Sequence, residues 1–128
     1  MKLDIACIRD ILLYVETLPF DCVATVSQLC ESCPMYSKEE ITYNCLKLIE
    51  GGYLDGLIVP MPRSYLPGLK CIICMTFEGH QFLETIRPDT VFQKTKKALA
   101  SAGTFSFDVV TKIGTTILTQ LATSYLGL

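Results

Sequence analysis

Three features of this 128-residue chain predict an α+β fold. A Ser-x-x-Glu capping box at Ser37 and Glu40 opens a helical apolar stripe that Gly51-Gly52 brings to an end. Two β-rich runs, "YLDGLIVPM" and "LKCIICMT", flank the turn-forming "PRSYLPG" and read as a hairpin. Amphipathic helical runs stand on both sides of that unit.

The elements follow in order. Ile5, Ile8, Ile11, Leu12 and Val15 recur at helical spacing, with Arg9 and Asp10 on the other side. A first helix is therefore expected over residues 3–17, ended by Pro19. "DCVATVSQLCESC" is expected to hold a short strand and then a short helix. The capping box starts the next helix at Lys38, with Ile41, Cys45, Leu48 and Ile49 as its buried stripe. After the hairpin, Thr76 caps a helix running to Ile86, and Pro88 breaks it. Asp89 is expected to cap a basic helix ending near Gly103, and Ser106 the last helix, toward Leu126. Helix, short element, helix, hairpin, helix is the order of a winged helix-turn-helix domain. The expectation is thus an α+β winged helix-turn-helix domain over residues 1–87. Residues 88–128 form a C-terminal helical extension, packed on that domain or lying at an oligomer interface.

Composition narrows the function. Half the residues are apolar and 19% are charged, which excludes a disordered chain. The net charge of −2 gives no overall attraction to phosphate backbones. Cations concentrate after residue 50, chiefly at Arg87, Lys94, Lys96 and Lys97. Asp4, Arg9 and Asp10 interrupt the first apolar run, so no secretory signal is read. The seven cysteines are accordingly expected to be reduced thiols of a cytoplasmic protein. The uncharged run that starts at Ile113 is shorter and more polar than the ~20 apolar residues of a membrane span, so no membrane partner is expected.

The only histidine, His80, has Glu78 and Glu84 nearby but neither a nucleophile turn nor a second histidine. It reads as a structural residue in the first turns of a helix, beside a Gly79 that permits close packing. Cys30-x-x-Cys33 and Cys71-x-x-Cys74 are the raw material of a four-thiolate zinc site. The second pair, however, lies in an expected strand, where positions i and i+3 point to opposite faces. Neither a metal nor any other cofactor is expected, and the chain reads as non-enzymatic.

Two binding readings stand side by side. In the first, the helix from Lys38 to Glu50 reads duplex DNA through Lys38, Tyr43, Asn44 and Lys47, and Arg63 in the wing meets the backbone. In the second, Glu39, Glu40 and Glu50 make an acidic face for a basic protein surface, as in a phage-encoded inhibitor or accessory of a host defence complex. Topology favours the DNA-binding regulator, which takes first place, while residue chemistry favours the protein-binding module. The last helix carries an apolar stripe that includes Ile117, Leu121 and Tyr125, opposed by threonines with Lys112 the only cation. That pattern suits a homo-oligomer interface as well as a core.

Two motifs connect the chain to a known family. "MKLDIACIRDIL" at the start and "TFEGHQFLETIRPDTVFQKTK" after the hairpin resemble the small bacterial and phage proteins of domain of unknown function 2513, and the closing Gly127-Leu128 also fits. The similarity covers essentially the whole chain. Phe92 stands where the family commonly has Trp, and Met75 replaces an aliphatic residue. The resemblance implies a winged-helix-like fold and residence in prophages and mobile elements, and it carries no established activity.

Overall fold

The first helix begins where a carboxylate can satisfy its free amides. Asp4 Oδ1 accepts from the backbone N–H of Ala6 at 2.9 Å and of Cys7 at 3.4 Å, so α1 spans Ile5–Glu16. Thr17 closes it, donating its hydroxyl to the Tyr14 carbonyl at 2.6 Å. The helix is shorter at both ends than the expected 3–17 because these two polar residues serve as caps. The computed structural model describes residues 1–103 and 105–127.

Thr25 ends the short strand β1 (Ala24–Thr25) and also caps α2 (Val26–Ser32), through a capping box with Gln28. The box at Ser37 and Glu40 opens α3 (Lys38–Glu50) as its spacing demands. Strands β2 (Leu54–Val59) and β3 (Gly68–Met75) follow, then α4 (Phe77–Ile86), α5 (Asp89–Ala102) and α6 (Phe107–Leu126). The class is α+β: six helices and one three-stranded antiparallel sheet of order β1-β3-β2 among the described residues. Ala24 pairs with Ile72 on one side of β3, and Leu54 with Met75 on the other.

Two caps differ from expectation. Pro88, in an extended conformation, takes the N-cap of α5, and Asp89 becomes the first helical residue, where its charge faces the helix's positive end. Ser106 stands at the N-cap of α6 without a side-chain cap bond. Gly103 closes α5 in the left-handed conformation. Leu128 of the closing Gly-Leu lies outside the described residues.

The chain divides into two units, Met1–His80 and Gln81–Leu128. In the first unit, Ile8, Ile11 and Leu12 of α1, Leu29 of α2, Ile41 and Leu48 of α3, and Leu54 and Ile72 of the sheet are fully buried. In the second, Leu83 and Ile86 of α4, Val91 of α5 and Val110 of α6 are likewise buried. Gly114 of α6 fits because a Cβ there would stand 2.5 Å from Thr85 Cγ2 of α4. Phe82 and Phe107 pack in this unit with ring centroids 4.9 Å apart and their planes tilted by 53°.

The "TFEG" motif has a physical explanation within the first unit. Thr76 Oγ1 donates to the Gly52 carbonyl at 2.6 Å and accepts from Gly79 N at 3.0 Å. Thr76 N donates to the Tyr53 carbonyl at 3.2 Å. A side chain at Gly79 would run into that same Tyr53 oxygen. One hydroxyl and one missing Cβ thus hold the start of α4 against the turn that ends α3.

Two buried polar side chains have opposite fortunes. Asn44, only 1% exposed, accepts from Asp4 N at 3.1 Å and donates to the Glu40 carbonyl at 2.8 Å, tying α3 to the start of α1. Thr95 of α5 is fully buried, and its hydroxyl has no hydrogen-bond partner among the described residues. Replacing Asn44 by Ala leaves an amide unpaired and should cost about 1–3 kcal/mol, whereas Thr95→Val removes an uncompensated hydroxyl and should stabilise by about 1 kcal/mol. Urea unfolding of the two variants beside the wild type checks both signs. A Thr95→Val chain less stable than wild type would mean that the hydroxyl is satisfied.

Candidate functional site

Helix α3 lies against both α1 and the hairpin, and this divides its residues differently from a simple amphipathic stripe. Ile41, Asn44, Cys45, Leu46 and Leu48 are buried, and Ile49 is half-buried. Asn44, expected among base-reading residues, is therefore not on the surface. A planar amide with its oxygen and nitrogen both engaged inside the fold cannot reach a base edge.

The exposed side of α3 meets the hairpin in a groove of about 280 Å³. Tyr43, Leu46, Lys47, Ile49 and Glu50 line it from the helix, and Ile58, Leu66 and Pro67 from the hairpin. Lys47 Nζ lies 3.0 Å from Glu50 Oε2 and 5.6 Å from the Tyr43 ring centroid. The hydrogen bond that Lys47 donates to Glu50, and then the charge of that carboxylate, raise the Lys47 ammonium above the ordinary lysine value. This cation is matched by its own neighbour, one turn away. On the hairpin Leu57, Ile58, Val59, Met61, Tyr65 and Leu66 are all exposed to solvent, and Ile58 and Leu66 of these line the groove.

The other expected site residues are dispersed. Lys38 and Glu39 are exposed in the first turn of α3. Glu40 is half-buried and uses one carboxylate oxygen to accept from Ser37 N at 3.1 Å, closing the capping box. Arg63 is exposed in the hairpin loop. In the second unit Ile117 is half-buried, while Leu121 and Tyr125 are exposed. The apolar lining from Leu46, Ile58 and Leu66 escaped the sequence reading. Its signal is the contiguous Leu57-Ile58-Val59, which cannot all face a core in a half-exposed strand.

The cysteines group otherwise than as two C-x-x-C pairs. Burial pushes the Cys7 thiol up to about 12, with Asp4, Cys33, Glu40 and Asp10 adding to the effect. Burial likewise raises Cys33 and Cys45, the latter with further contributions from Cys7, Cys33 and Cys30. These thiols come from α1, from α3 and from the end of α2, and they are protonated packing groups. Beside them Tyr36 donates to Asp10 Oδ2 at 2.9 Å, and burial followed by that bond raises its phenol. Among the described residues no group of three or more His, Cys, Asp or Glu could hold a metal ion. His80 donates its backbone N–H to the Thr76 carbonyl at 3.0 Å, and its side chain is exposed.

This is an α+β protein with an apolar groove between a helix and a hairpin. Residues 2–105 match the family described as hypothetical protein (DUF2513), domain of unknown function 2513, and the chain belongs to that family. Helix α6 lies beyond the match. An uncharacterized protein of Haemophilus influenzae (strain ATCC 51907 / DSM 11121 / KW20 / Rd) is 30% identical over 123 residues, covering 94% of this chain and 98% of the relative. No solved structure matches the chain. Among the described residues no helix is long and apolar enough to cross a membrane.

The buried thiols predict an alkaline weakness. An unfolded chain releases thiol protons near 9.0, whereas the folded chain holds that of Cys7 to about 12. The folded state thus binds more protons in this window, and its stability falls as pH rises through it. The urea midpoint should hold steady below pH 9.0 and drop above it, with a shallower fall in Cys7→Ala. A midpoint that rises on alkalinisation would contradict the burial of these thiols.

Proposed function

We propose that this chain is a non-enzymatic binding protein of winged-helix type that takes an apolar segment of a protein partner into the groove between α3 and the hairpin. The observation that carries this reading is the exposure of large apolar side chains where a nucleic-acid reader needs cations. Ile58 is 45% and Leu66 50% exposed at the groove. Exposed apolar side chains rimmed by polar groups are characteristic of protein recognition, and Tyr43 in the groove lining supplies the aromatic character such sites favour.

The order α1-β1-α2-α3-β2-β3 supports the alternative, in which α3 enters the major groove of DNA and the hairpin meets the backbone. Lys38 and Arg63 are exposed on those two elements. Against it stand a buried Asn44, a Lys47 matched by Glu50, and Glu39 beside Lys38. The groove therefore takes precedence.

A photo-crosslinker placed at Leu66 should join a protein, and Ile58→Asp should reduce that product at least ~10-fold, the equivalent of about 1.4 kcal/mol. Fluorescence anisotropy on random duplex should show affinity no tighter than the ~10⁻⁴–10⁻⁶ M typical of non-specific binding, and lost with salt. Nanomolar duplex binding that Arg63→Ala weakens, with no crosslinked protein, would replace this reading by the DNA one.

Helix α6 supports self-association as a second property. Of its 20 residues Val110 and Gly114 are buried, and no charge follows Lys112. Tyr125 is 91% exposed, with Leu121 and Leu126 also open to solvent. A second copy of this helix covers such a stripe without burying a charge. Light scattering at tens of micromolar should give a dimer for the wild type and a monomer for Tyr125→Glu. A wild-type monomer would discard the proposal for α6 and leave the groove reading untouched.

A further inference from the structure

Strand β2 lies at the edge of the sheet, whose order is β1-β3-β2. Its inner side pairs with β3 from Leu54↔Met75 to Val59↔Gly68. Among the described residues no backbone bond from another element reaches residues 55–59. In an antiparallel pair every second residue turns its N–H and C=O away from the partner strand. This edge therefore carries a row of open backbone donors and acceptors.

Edges of this kind are commonly blunted by bulges, prolines or charges. Here both irregularities of the ladder fall on β3. Between Asp55 and Gly56, and again between Leu57 and Ile58, β3 advances two residues while β2 advances one. The edge strand is thus the regular one. From Gly56 to Val59 it has neither charge nor proline, and Leu57, Ile58 and Val59 are exposed. Side chains alternate between the two faces of a strand. Ile58 turns to the face that lines the α3–hairpin groove, and Leu57 and Val59 to the other.

We propose that the occupant of the groove is an extended segment of a protein partner, apolar at every second residue, which joins the sheet as a new strand on β2. This inference rests on the groove reading and gives the occupant its conformation. Backbone bonds to β2 hold the segment, and the groove selects the side chains that face it. Those side chains lie beside Ile58, and the intervening ones beside Leu57 and Val59. A second copy of this chain fits less well. Antiparallel pairing of two identical edges needs a two-fold axis perpendicular to the sheet, which puts like faces on the same side. Each copy would arrive with its own α3 on that face. There Ile49 already packs at Gly56, where a Cβ would stand 2.6 Å from Ile49 Cδ1. Only Ile58 of the copy would be left to fill the groove.

A phage-displayed random peptide library, selected on the immobilised full chain, supplies the probe. Selected peptides should carry apolar residues at alternate positions. In the tightest of them, N-methylation at every second backbone amide should weaken binding at least ~10-fold, and at the intervening amides should change it little. That measurement alters the peptide alone and needs no variant of the protein. On the chain itself, amide exchange should slow at alternate positions of residues 56–59 when the peptide binds, and Ile58→Asp should abolish binding. Peptides with apolar residues at helical spacing, lost with Ile58→Asp but indifferent to which amide is methylated, would overturn the strand and leave the groove reading standing. Binding that survives Ile58→Asp, or a library without a binder, would discard both. A dimer of the chain that persists in Tyr125→Glu and is lost in Leu57→Asp would give the edge to a second copy instead.

Discussion

The bond from Thr76 to the Gly52 carbonyl fixes the geometry on which the candidate site depends. Gly52, at φ 83°, turns the chain out of α3, and Tyr53 N returns a bond to the Leu48 carbonyl at 2.8 Å. Thr76 then closes the hairpin's far end on this turn, and α4 starts at once because Gly79 lets it approach. The hairpin is thereby held beside α3 at one end, while its other end stands free in solvent. A groove between the two elements follows from that arrangement. Leu66 and Pro67 come from the free end of the hairpin, whereas Ile49 and Glu50 come from the last turn of α3, beside the tether.

The interior of the first unit and its caps engage several polar side chains of α3. Asn44 is committed to Asp4 and Glu40, Glu40 to Ser37, and Lys47 to Glu50. Each commitment satisfies a backbone amide, a carbonyl or a neighbouring charge, and burial withdraws Asn44 from any outside partner. The apolar side chains of the hairpin have no such internal use. Burial of apolar area by a partner is accordingly the favourable contribution still available to this surface.

Much of the local structure was legible. The box at Ser37 and Glu40, the Gly51-Gly52 stop and the hairpin runs all stand where the sequence places them, since each rests on contacts within a few residues. The short strand and helix in "DCVATVSQLCESC" are present for the same reason, with Thr25 serving both. Membership of the family likewise follows from the sequence motifs, confirmed by the match over residues 2–105. Asp89 and Asn44 were misplaced because their roles depend on what lies across space or just upstream. Pro88 occupies the cap ahead of Asp89, and Asn44 faces the start of α1, forty positions away in the chain.

By itself the sequence determined the helices, the hairpin, the α+β class and the family, because capping, periodicity and turn chemistry act over short distances. Tertiary structure alone decided which polar groups remain for function. It buried Asn44, matched Lys47 with Glu50, gathered Cys7, Cys33 and Cys45 into the interior, and left Cys22 and Cys74 exposed around one cavity. Whether a side chain faces solvent or a partner across the fold depends on long-range packing, to which spacing along the chain is blind.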